Sequence, residues 1–248
     1  MIRDDAAILR KQEFAKARLA EISYAKNLRK IARHIGELVS IFDPANVAAL
    51  PRVRSLLDKY AQTLAPWAYA TATRMITEVA AREGKAWRKV SAAIGLQIGH
   101  ELRSARLDET IRALRDEQVR LITSLPTEAA ERVHKLALEG LEQGTRAKEI
   151  AAEIMRIGEV TKSRATLIAR TEVGRTATML TKARSESVGA THYQWLSARD
   201  SDVRPIHKKL DGKIFAWNNP PIADPSGIRA HPGSIWNCRC VALPIIPE

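Results

Sequence analysis

A chain of 248 residues is long enough to bury a core, and 45% hydrophobic against 27% charged residues excludes a disordered chain by composition. Only 5% of the residues are aromatic, which argues against a large β-sandwich and for helices packed through Ala, Leu and Ile. The 40 Lys and Arg against 28 Asp and Glu leave a net charge of +12 and point to a polyanionic partner, most commonly DNA or RNA.

The basic excess is split evenly between residues 1–160 and 161–248, and no run of like charge reads as a nucleic-acid-binding arm. No stretch approaches the roughly 20 apolar residues of a membrane span, and "MIRDDAAILRKQEF" lacks the apolar core of a secretory signal. Two cysteines in a chain of this kind are expected reduced or metal-bound rather than paired.

In chain order, Ile22, Ala25, Leu28, Ala32, Ile35, Val39 and Phe42 recur at helical spacing, with Lys26, Lys30 and Arg33 on a wet face. Asp43 followed by Pro44 reads as the start of a second helix. Further helices are expected at 44–60, 66–83, 85–104, 107–124, 127–142 and 145–157, punctuated by Gly84, Pro126 and Gly144, with Thr145 as a cap. A long helix follows at 161–188, its core side carrying Ile168, Val173, Thr176 and Leu180. Arg164, Arg170, Arg175, Lys182 and Arg184 keep its surface positive and are the residues expected to face DNA.

After Gly189 the texture changes. "THYQWLS" alternates like a strand, Asp211-Gly212 signals a hairpin turn, "NNPPIADPSG" is a loop, and "CRCVALPII" is a last strand that Pro244 confines to an edge. The fold expected is mainly α: a helical N-terminal region, 1–126, and a C-terminal part, 127–248, that ends in a small α+β module.

That module gathers Asp200, Asp202, Arg204, His207, Asp211, His231, Asn237, Cys238, Arg239 and Cys240. As a metal site, His207, His231, Cys238 and Cys240 offer four zinc ligands, although C-x-C is tighter than the usual C-x(2–4)-C. As an active site, a Cys–His pair could make a nucleophile, or Asp200 and Asp202 with the histidines could hold a divalent metal for phosphodiester cleavage. As a scaffold, Asp200 and Asp202 would cap turns, Arg204 would pair with one of them, and the histidines would tie down loops poor in ladder bonds. The scaffold reading is preferred, with no catalytic residue and no cofactor required.

The ordered set "IARTE" (168–172), "YQWLSARDSDVRPIHKKLDG" (193–212) and "HPGSIWNCRC" (231–240) resembles the C-terminal domain of the phage Mu F-like head morphogenesis family. The resemblance covers about 127–248 and marks Asp200, Arg204, His207, His231, Asn237, Cys238 and Cys240 as motif positions. It implies a minor head protein, a virion component of the head interior that passes through the host cytoplasm during assembly. The partners implied are the portal, capsid or scaffold proteins, and double-stranded DNA bound without sequence preference. The resemblance carries over no catalytic residue, and no "GxxxxGK[ST]" phosphate loop is present to suggest a packaging motor. The alternatives are a metal-dependent nuclease or a toxin-like transferase built on the His/Cys/Asp cluster, and a chromatin-like or RNA-binding module with no phage role.

Overall fold

The structure is a computed structural model that describes residues 2–42, 49–93, 105–143 and 147–246. In chain order these form α1 (Ile2–Ser40), α2 (Leu50–Thr63), α3 (Ala65–Ala93), α4 (Ala105–Gln143), α5 (Ala147–Met155), α6 (Ile157–Ser187), β1 (His192–Leu196), α7 (Pro205–Leu210), β2 (Ile214–Ala216) and β3 (Val241–Ile245). The fold is mainly α with a small α+β C-terminal part. Asp43, Pro44, Gly144 and Thr145 lie outside the described residues.

Two expected breaks are not breaks. Gly84 lies inside α3 and Pro126 inside α4. A helix-interior glycine costs only about 1 kcal/mol against alanine, and the helix is carried past Gly84 by buried Met75, Ile76, Val79, Ala86 and Trp87. Pro126 removes one backbone donor. Around it Thr123 Oγ1 donates to the Val119 carbonyl at 2.9 Å and Ser124 Oγ to the Leu121 carbonyl at 3.0 Å, and Ile122, Leu125, Ala129, Ala130 and Val133 are buried on both sides. Packing outweighs the local signal in both helices.

Contacts divide the chain into two compact units, each assembled from separated segments. Unit 2 (Ser23–Ala72 and Asp116–Ala169) buries Leu28, Ile31, Ile35, Leu57, Ile122, Leu125, Ile154, Ile157 and Ile168. Ile22, placed by spacing on the core stripe of α1, is exposed; the buried stripe runs through Tyr24, Leu28, Ile31, Ile35 and Val39, which is rotated away from it. Lys26, Lys30 and Arg33 are exposed as expected.

Unit 1 (Met1–Ile22, Thr73–Arg115 and Arg170–Glu248) contains the α+β module. Its antiparallel sheet has the order β2-β1-β3. β1 is central, with Tyr193 opposite Phe215 on one side and Pro244 on the other. Pro244 therefore sits on an edge strand, where its missing N–H costs no ladder bond. The Asp211-Gly212 turn is present but joins α7 to β2 instead of two strands, and the Gly212 N–H donates to the Trp195 carbonyl at 2.8 Å. Strand alternation puts Tyr193 and Trp195 on the inner face of β1. There they pack with Leu210, Trp217, Ala223, Ile235, Cys238, Cys240 and Ala242.

Candidate functional site

The site is built where the loop 231–240 meets α6, α7 and β1. The loop lies close on α6. A Cβ added to Gly174 would stand 3.1 Å from the Gly233 carbonyl oxygen, and one added to Gly233 would stand 3.0 Å from that of Gly174. Gly233 also has φ +76°, which side chains rarely adopt. Thr178 Oγ1 donates to the Pro232 carbonyl at 2.6 Å, and the Asn237 N–H donates to Thr171 Oγ1 at 3.3 Å. Asn237 takes φ +58°, a left-handed turn that asparagine tolerates and that turns the chain into Cys238.

This turn brings three chemically reactive side chains together. His207 on α7, Cys238 and Cys240 are all buried, at 2%, 4% and 5% exposure. Their ligand atoms lie within 4.8 Å of one another. Both sulfurs stand 3.6 Å from Nδ1 of His207. On the far side of the ring Nε2 is 2.9 Å from the Ala223 carbonyl, which can only accept, so Nε2 carries a proton. Cys238 Sγ accepts the Gly233 N–H at 3.3 Å.

The electrostatics follow from this contact. Hydrogen bonding from the Cys240 thiol, and then from His207, holds Cys238 well below the ordinary thiol range against the opposing effect of burial. Cys240 is pushed up, by its bond to Cys238 and by burial. For His207, burial lowers the pKa, but the Cys238 sulfur and the Ala223 carbonyl together raise it overall.

His231, the fourth expected zinc ligand, is not in this group. Its Nδ1 is 3.1 Å from the Tyr193 hydroxyl, and its ring packs against Tyr193 and Trp217, centroids 5.4 Å away in each case. Burial, with Lys182 nearby, lowers its pKa to about 4, so it is neutral at physiological pH.

The remaining polar residues act as fasteners, with one exchange of partners. Arg239, not Arg204, makes the ion pairs, to Asp200 at 2.6 Å and Asp202 at 3.4 Å. Arg204 instead donates to the Trp236 carbonyl at 2.6 Å. Asp200 accepts the Asp202 N–H at 3.1 Å in a turn, and Asp211 accepts the Ser197 N–H and pairs with Arg199, both at 2.8 Å.

The basic residues of α6 are largely engaged by the protein. Arg184 corrects the sequence reading: it is buried, donates to the Ala80 carbonyl at 2.9 Å, and has its pKa lowered by burial, so it does not face DNA. Arg164 pairs with Glu128 at 3.1 Å, and Arg170 with Glu21 at 3.2 Å and Asn237 Oδ1 at 3.4 Å. Arg175 stands 3.9 Å from buried Glu172, and Lys182 is half-buried. The core residues named for this helix, Ile168, Val173, Thr176 and Leu180, are buried.

Sequence reasoning missed Gly174, Gly233 and Glu83. Glu83, in α3, is buried and accepts the Thr181 hydroxyl at 2.7 Å. The only local hint was Pro232-Gly233, a turn dipeptide; nothing local marks a helical glycine as a contact point or a buried glutamate as a partner.

Comparison with known proteins meets this geometry in the same place. Residues 131–243 match the family model described as "Phage Mu protein F like protein". The C-terminal half is Phage Mu F-like. Every residue of the His207–Cys238–Cys240 group lies inside the matched segment. The chain is also 35% identical over 153 residues to an uncharacterized protein of Haemophilus influenzae, covering 61% of this chain and 33% of that protein, so it spans about a third of its relative's length. No solved structure matches the chain. No helix among the described residues is long and apolar enough to cross a membrane.

Proposed function

We propose that this protein is a phage head morphogenesis protein that acts by binding. In this reading the Mu F-like half docks on the portal and on capsid or scaffold proteins in the assembling head, and the helical N-terminal half, 1–126, serves as a docking or spacer element. Its net charge of +12 adds contact with double-stranded DNA through phosphates, without base readout. The protein enters the head during assembly in the host cytoplasm and stays in the virion interior.

The observation that carries the reading is the family match at 131–243. Burial of His207, Cys238 and Cys240 supports binding over the nuclease or transferase alternative, because a catalytic group must reach its substrate. The test is to purify assembling heads and mature particles and to probe both with an antibody to this chain, alongside pull-down with the portal. Presence in heads with portal co-purification is expected. Absence from both particle types refutes the reading, and a measured phosphodiesterase or transferase turnover that His207→Ala abolishes favours the enzyme.

A further inference from the structure

We propose that His207, Cys238 and Cys240 form a structural site for a soft divalent cation, zinc by its ligand chemistry, which fastens the 231–240 loop to α7. The inference goes beyond the virion reading and does not depend on it.

Distance is the first argument. Zinc bonds of about 2.3 Å to sulfur and 2.0–2.1 Å to nitrogen, set at a tetrahedral angle, hold a ligand sulfur and a ligand nitrogen about 3.6 Å apart. Both sulfurs stand at 3.6 Å from the same Nδ1. Extended backbone places residues two apart on one face, so a C-x-C pair can present two sulfurs to one ion.

The hydrogen bonds around the group supply the second argument. With Nε2–H committed to the Ala223 carbonyl, neutral His207 has one lone pair, on Nδ1, aimed at both sulfurs. One lone pair accepts one thiol proton along its axis, yet two sulfurs share it at equal distance. A cation on that axis satisfies both. The same carbonyl is the partner that metal-bound histidines use to fix their tautomer, and the Gly233 N–H to Cys238 Sγ is a bond that stabilises a ligating thiolate.

Charge completes the case. Two thiolates, a neutral imidazole and a divalent cation sum to zero charge. Two sulfurs and one nitrogen select zinc over magnesium or calcium, which take oxygen. Three protein ligands are one fewer than the four of most structural zinc sites. His231 is not a ligand, since its ring lies outside the convergent group and its Nδ1 faces the Tyr193 hydroxyl.

The experiment uses the full chain, expressed without a histidine tag in zinc-supplemented medium and purified under reducing conditions. Elemental analysis is expected to find near-stoichiometric zinc. Refolding the stripped chain with cobalt(II) is expected to give a thiolate-to-cobalt charge-transfer band and the intense visible bands of a tetrahedral ion. Cys238→Ser and Cys240→Ser should each weaken the charge-transfer band, and His207→Gln should keep it while altering the visible bands. His231→Gln should leave both unchanged. A wild-type chain that is folded by circular dichroism, contains no zinc and gives no thiolate-to-cobalt band overturns the proposal whether or not the variants fold. So does a band that survives the Cys238→Ser/Cys240→Ser double variant.

Discussion

Substituting Gly233 by alanine probes the contact on which the C-terminal module is assembled. Two penalties add. A side chain at φ +76° costs roughly 1–2 kcal/mol, because Cβ crowds the following carbonyl. The new methyl would also stand 3.0 Å from the Gly174 carbonyl oxygen, 3.2 Å from its carbon and 3.3 Å from the Cys240 carbonyl oxygen. All three are backbone atoms, which cannot swing aside as a side chain would, and overpacking of this kind costs about 1–3 kcal/mol. The total is about 2–5 kcal/mol. Gly227 separates the two terms, since its φ is +89° with no atom within 4 Å of the added Cβ; Gly227→Ala should cost only the first, about 1–2 kcal/mol. Urea unfolding followed by tryptophan fluorescence reads both, because Trp195 and Trp217 are buried in this module. Equal midpoints for Gly233→Ala and Gly227→Ala would show that the loop does not press on α6 and would undo the account of how Cys238 is placed.

Four further outcomes are expected. Glu83→Ala should destabilise by about 3–5 kcal/mol, because it leaves the buried Arg184 guanidinium without the carboxylate that offsets its charge, whereas Thr181→Val, which removes one hydrogen bond to that carboxylate, should cost about 1.5–3 kcal/mol; a larger loss for Thr181→Val than for Glu83→Ala in chemical denaturation would contradict this. Arg239→Ala should cost under about 1 kcal/mol despite its two ion pairs, since Arg239, Asp200 and Asp202 all keep solvent contact, and a loss of several kcal/mol in the same assay would be inconsistent with that. His231 has a folded pKa of about 4 against an ordinary 6.5, so the unfolded chain binds its proton first as pH falls. Stability from this group is therefore complete above pH 6.5 and lost by pH 4, about 2 kcal/mol after discounting for partial exposure; His231→Gln should flatten that limb of the stability–pH curve, and an unchanged limb would refute the assignment. Affinity for random-sequence DNA should fall about a hundredfold between 50 and 200 mM salt if roughly four phosphates are neutralised, and a flat titration would remove DNA from the partners.

The amino-acid sequence determined the elements whose cause is local. Helical spacing of Leu28, Ile35 and Val39, the alternation of "HYQWL" and the edge position of Pro244 were legible because propensity, periodicity and a missing N–H act over a few residues. The ordered motif residues likewise marked the C-terminal half as Mu F-like. Tertiary structure decided whatever depends on which surfaces meet. Gly84 and Pro126 are carried through their helices by apolar neighbours. Arg184 goes inside beside Glu83, 101 positions earlier in the chain. Of four histidine and cysteine candidates three converge, because Gly174 and Gly233 let two backbones touch and Asn237 turns Cys238 inward, while Tyr193 takes His231 away. Side-chain type fixes what a group can bind, but only chain crossings between distant segments fix what lies within its reach.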